Sequence, residues 1–160
     1  MLKPSNPPEL REHQGMKLAG LRRHHAFAST QATIPQQWDE LNAASRPWNK
    51  LDAAVSYGAV CGVTADSMEY LCGHAVASFD GIGPEWGRMI VPPQRYAVFV
   101  HEGPIVGIQQ SWERAMAWLQ ASPEWEDGHT PPFERYDQRY DVTMASGAAE
   151  IWLPVRPRRA

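Results

Sequence analysis

IPQQWDEL, from Ile34 to Leu41, and IQQSWERA, from Ile108 to Ala115, read as two versions of one amphipathic helix. In the first, Ile34, Trp38 and Leu41 recur at i, i+4 and i+7. In the second, Ile108, Trp112 and Ala115 do the same, and Ile105 and Leu119 lengthen the apolar stripe. Thr33 suits an N-cap for the first helix and Pro35 its first turn, while Gly103-Pro104 opens the second.

Similar runs surround each helix. KLAGLRRHHAF (Lys17 to Phe27) precedes the first as a strand, and AVSYGAVCGV and MEYLCGHAVA follow it, parted by the turn-like TADS. RYAVFVH (Arg95 to His101) precedes the second, and Phe133 to Tyr140 and Ala148 to Val155 follow, separated by DVTMASG. The intervening FDGIGPEWGRMIVPP breaks every periodicity and reads as a linker. The chain thus divides into a domain over 16–157, with pseudo-repeats 16–80 and 94–157 and a linker 81–93. Residues 1–15, with three prolines and no periodicity, read as a flexible tail, and Pro157 to Ala160 as a frayed end.

One strand–helix–strand–strand unit leaves a sheet edge open. The expected fold is therefore α+β: two such units joined edge to edge in an antiparallel sheet. Both helices lie on one face, and a ligand pocket lies between the halves.

Composition narrows the function. The chain has 160 residues, 43% apolar and 21% charged, which is ordinary globular usage for one domain. A net charge of −3 lacks the basic excess of a nucleic-acid-binding domain. No run is long and apolar enough for a membrane span or a signal peptide, so no membrane partner and a cytoplasmic location are expected. Cys61 and Cys72 make no CxxC pair and read as packing residues; the six histidines lack metal-ligand spacing, so neither metal nor cofactor is expected. Seven Trp, five Tyr and four Phe are enough to wall a pocket with rings or to fill a core.

Strand alternation assigns faces. Ile151, Leu153 and Val155 form the apolar side of the last strand, and Glu150 and Trp152 the other. A hairpin closing around Met144 sets Tyr136 opposite Trp152 and Gln138 opposite Glu150. One face then carries Glu134 and Glu150 among Tyr136 and Trp152. A turn near Ala65 and Asp66 sets Tyr57 opposite His74 and Cys61 opposite Tyr70, so that Tyr57 and Tyr70 share a face. A carboxylate held among rings suits an organic cation; the plainer use of Glu134 is a pair with Arg95, Arg135 or Arg139.

PPQRYAVFVHEGP, IQQSWERAMAWL, PPFERYDQRYD and AEIWLPV together resemble the GyrI-like, or AraC-type effector-binding, family over roughly Met16 to Val155. The resemblance implies a bacterial domain related to transcription regulators, with the same duplicated fold. It also implies a pocket for amphipathic, often cationic, small molecules. The family's central acidic residue falls on Glu134 in FERYD, and the aromatic wall on Tyr57, Tyr70, Phe99, Trp112 and Trp152, beside Tyr136.

The leading expectation is a stand-alone protein that senses or sequesters hydrophobic or cationic ligands. Two further readings stay open. One is a hydrolase of electrophilic, cyclopropane-bearing toxins in which Glu134 orients or deprotonates a water. The other is a protein-interaction module in the manner of a DNA gyrase inhibitor. No helix-turn-helix precedes the domain, so no direct nucleic-acid contact is expected; a protein partner would be gyrase, a regulator or a second copy.

Overall fold

The structure, a computed structural model, describes residues 7–46 and 48–159. After β1 (Glu9–His13) and β2 (Met16–Ala26), a 3-10 turn leads into α1 (Thr30–Ala43), followed by β3 (Ser56–Cys61), β4 (Ser67–Val76) and β5 (Gly87–Val91). Next come β6 (Gln94–Pro104), a second 3-10 turn, α2 (Ile108–Ala121), β7 (Trp125–Asp127), β8 (Phe133–Tyr136), β9 (Tyr140–Asp141) and β10 (Ser146–Pro157). This is an α+β fold built from two strand–helix–strand–strand units.

The chain forms two compact units. One holds Gly15–Pro92; the other holds the described residues up to Gln14 together with those from Pro93 onward. In the Gly15–Pro92 unit the antiparallel strand order is β3-β4-β2-β5. Helix α1 covers this sheet, packing Leu41 with Met68, Tyr70 and Cys72, flanked by Ile34 and Trp38. In the other unit the order is β1-β6-β10-β8, with β7 and β9 also pairing β10. Helix α2 lays Ala115 on Ile151 and Leu153, with Ile108, Trp112 and Leu119 around them.

Two segments differ from the sequence-based expectation in the same way. Part of the expected tail is β1, which pairs with β6 from Glu9↔Val98 to His13↔Gln94. Part of the expected linker is β5, which pairs with β2 from Met16↔Val91 to Gly20↔Gly87. Each is a short edge strand whose ladder, among the described residues, lies with a strand distant in sequence, so local periodicity carries no trace of it. Residues 1–6 of the expected tail, and Ala160, lie outside the described residues. Near the C-terminus Arg158 is anchored rather than frayed: its guanidinium donates to the Ser122 and Trp125 carbonyls at 3.1 and 2.9 Å.

The helices also shift. Helix α1 begins at Thr30, so Pro35 lies inside it, and Thr33 caps nothing; its hydroxyl instead reaches His25 and the Ser29 carbonyl. Counted from the two helix starts, Thr33 corresponds to Ser111, Gln37 to Ala115 and Leu41 to Leu119. Trp112 therefore matches Ile34, not Trp38. The IPQQWDEL/IQQSWERA echo is displaced by about one helical turn, which keeps the apolar stripe on the same face. No helix among the described residues is long and apolar enough to cross a membrane.

Candidate functional site

Register on β10 decides which side chains meet. The ladder runs Glu150↔Arg135, Ile151↔Glu134 and Trp152↔Phe133. Farther along, Gly147 faces Tyr140. From that rung to Glu150↔Arg135 the chain takes 150 − 147 = 3 steps on β10 but 140 − 135 = 5 on the other side, because residues 137–139 turn out of the ladder. Together with the hairpin apex, where Ser146 faces Asp141 one residue away from the register centred on Met144, this replaces the expected pairing of Tyr136 with Trp152 by that of Phe133 with Trp152. That is an odd displacement, and it moves every side chain of β8 to the other face.

Glu134 consequently shares the α2 side of the sheet with Ile151, and Ile151 in turn faces Phe99 on β6. Tyr136, two residues on, points the same way. Helix α2 brings Trp112 down onto this face. The Trp112 indole Nε1 donates to Glu134 Oε2 at 2.7 Å, and the Tyr136 hydroxyl donates to Glu134 Oε1 at 2.8 Å. Glu134 is buried, with 7% of its surface exposed. Burial first, then the adjacent Glu134 carboxylate, holds the Tyr136 hydroxyl well above its usual range, so it remains a proton donor. The Tyr140 ring, 5.0 Å from that of Tyr136, has its hydroxyl raised by burial and then by Glu134.

The opposite face of the same unit carries the second carboxylate. Glu150 accepts from Arg139 Nη2 at 2.9 Å and from Trp152 Nε1 at 3.0 Å, with Arg135 Nη1 3.5 Å away. The same two arginines hold Asp137, and the Arg139 guanidinium lowers its carboxyl to about 2. Trp152 stacks on Phe133 at 5.3 Å, with Tyr96 and His13 packed edgewise. Arg11 lies over the Trp152 ring. Arg135 and Arg139, two of the arginines weighed for Glu134, thus reach Glu150. Asp137 and the β1 residues are not among the sequence-derived candidates; the sequence reads the turn after Tyr136, which gathers Asp137 and Arg139, as continuous strand.

Of the sequence-derived candidates, Glu134, Trp112, Tyr136 and Phe99 come together, while Trp152 lies on the reverse face. The other two belong to the Gly15–Pro92 unit. There Tyr57 faces Gly73 and Val60 faces Tyr70, one residue from the expected register. Tyr57 and Tyr70 therefore occupy opposite faces of their sheet, and Tyr70 accepts a hydrogen bond from Trp38 Nε1 at 3.1 Å. Cys61 faces Glu69 rather than Tyr70 and lies against Arg22; Cys72 is on the other side, where burial pushes its thiol up to about 12. Both thiols are free.

Among the described residues no three His, Cys, Asp or Glu side chains gather in a way that could hold a metal ion. Two surface grooves, of about 280 and 550 Å³, lie on the unit that carries Glu134, but neither is lined by it. What the Glu134 constellation offers is a buried carboxylate braced by two neutral ring donors. Such donors stabilise the ionised form without cancelling its charge.

Comparison with known proteins bears on this arrangement. The GyrI-like small molecule binding domain matches residues 6–156. The transcriptional regulator BrlR of Pseudomonas aeruginosa is 28% identical over 125 residues, covering 77% of this chain and 46% of that protein. The chain thus spans about half the length of this curated relative. Among solved structures, SAV2435 bound to tetraphenylphosphonium superposes with a TM-score of 0.76 at 20% identity, covering 93% of each chain. EcmrR, in a complex with DNA, superposes with a TM-score of 0.66 at 17% identity, over 92% of this chain and 56% of that one. At these identities the likeness is one of fold.

Proposed function

The chain belongs to the GyrI-like small molecule binding family, and on that footing we propose that it captures amphipathic organic cations at Glu134, sensing or sequestering them in the bacterial cytoplasm. The observation that carries this reading is the buried Glu134 carboxylate held by Trp112 and Tyr136. A ligand with a delocalised positive charge gains from the carboxylate and from the negative faces of the surrounding rings at once. Because each oxygen already accepts a ring donor, the ligand enters by displacing the half-buried Trp112 rather than the buried Tyr136. Phe99, on the same face, supplies further apolar wall.

SAV2435 is described as bound to tetraphenylphosphonium, which makes that ion the natural probe. Glu134→Gln keeps the volume and removes the charge. Calorimetry should show tetraphenylphosphonium losing on the order of 2–4 kcal/mol of affinity, the scale for truncating one partner of a desolvated charge pair. Neutral triphenylphosphine oxide should lose far less, and tryptophan emission should change on binding in the wild type but not in Trp112→Phe. Equal losses for the charged and the neutral compound would sink the cation-binding reading.

A further inference from the structure

The groove of about 280 Å³ beside the start of α2 is bordered by His101, Pro104, Val106, Gln110, Ser111 and Arg114. His101 is 6% exposed, and both of its ring nitrogens are engaged. Nε2 lies 3.0 Å from the Pro104 carbonyl oxygen and Nδ1 lies 2.7 Å from Ser111 Oγ. A carbonyl oxygen can only accept, so Nε2 carries the proton and Nδ1 of the neutral ring is the acceptor. The Ser111 hydroxyl must then donate to His101. A serine whose proton points at an imidazole, itself fixed by a third group and open to a groove, is the geometry of an activated nucleophile.

The other unit shows what the same pair looks like when it only anchors a helix. Thr33, at the position in α1 that matches Ser111, lies 2.7 Å from His25 Nδ1, but its hydroxyl also reaches the Ser29 carbonyl at 3.1 Å. His25 Nε2 meets the amide oxygen of Gln37, a residue with no exposed surface. In that copy every one of these groups is held by a partner within the unit. In the unit with α2, Ala115 stands where Gln37 stands, no helical carbonyl accepts from Ser111 among the described residues, and the pair faces the groove.

We propose that this groove is a second, esterase-type site, with Ser111 as nucleophile, His101 as base and the Pro104 carbonyl orienting the imidazole. The substrate class is a small ester with a short acyl group, since the groove lies at the small end of ligand-sized cavities. Ser111 Oγ attacks the acyl carbon as its proton passes to His101 Nδ1. The ester C–O bond then breaks, and the leaving alkoxide takes that proton. Water attacks the acyl-serine and gives a proton to His101; the acyl–Oγ bond breaks, and Ser111 regains the proton as the carboxylic acid leaves. Val106 and Pro104 offer an apolar wall for the acyl chain, and Gln110 and Arg114 are donors within the groove for the carbonyl oxygen.

The test is labelling of the whole chain with a fluorophosphonate probe, mapped by peptide mass, alongside p-nitrophenyl acetate hydrolysis. The adduct should fall on Ser111, and hydrolysis should drop at least tenfold in Ser111→Ala and His101→Gln. Thr33→Val, in the other copy, should leave both readouts within twofold of wild type. No adduct on the wild type, or an adduct on another residue, overturns the proposal whether or not the His101 variant folds. Labelling that persists in a folded His101→Gln also overturns it.

Discussion

Glu134 and Glu150 are both buried, yet the donors that reach them differ. Glu150 is neutralised where it lies, by Arg139 at 2.9 Å and Arg135 at 3.5 Å, and so serves structure. Glu134 accepts from an indole and a phenol, which hold its position. Arg139 is partly exposed, so solvent screens its pairs, but Glu150 beneath it is not. Arg139→Ala should therefore destabilise the fold by about 1–3 kcal/mol in urea unfolding, mostly as the cost of a less compensated buried carboxylate. A loss below about 0.3 kcal/mol would mean that Arg135 and Trp152 suffice on their own.

At the scale of elements, β1 is exposed along most of its length, yet it places His13 edge-on to Tyr96, Phe133 and Trp152. Burial first, then the nearby Arg135 charge, holds the His13 imidazole below its ordinary value. The unfolded chain thus binds a proton more readily than the folded one. The contribution of His13 to stability is intact above the unfolded value near 6.5, falls as pH drops through it, and levels off below the folded value. Urea midpoints between pH 7.5 and 5 should fall for the wild type and fall less for His13→Gln; parallel slopes would remove His13 from the account. The β2–β4 ladder has a different constraint. Gly20 faces Gly73, and a Cβ on Gly20 would stand 1.9 Å from the Cys72 carbonyl oxygen, part of the backbone itself. Gly20→Ala should cost about 3 kcal/mol or more in the same assay, because the strands must part to admit it. A near-neutral result would show that the rung can open freely.

For the molecule as a whole, the sequence by itself determined the kinds of element and their repetition. Amphipathic stripes gave both helices, β-rich runs gave the principal strands, and the four motifs from Pro92 to Val155 pointed to the family and to Glu134. These are local signals, set by side-chain period and by residue type at fixed spacing. Only the tertiary structure decided which strand each edge belongs to and which face each residue uses. β1 and β5 are strands because of ladders to β6 and β2, and nothing in their own residues announces those partners. The faces hung on two turns. One displaced rung at Tyr57↔Gly73 separated Tyr57 from Tyr70, and a one-residue shift at the apex where Ser146 faces Asp141, which the two extra residues at 137–139 do not reverse, moved Glu134 away from Glu150 and Trp152 to the side where Trp112 meets it. Side chains in a strand alternate with a period of two, so a single unpaired residue in a turn is enough to exchange the two sides of everything beyond it.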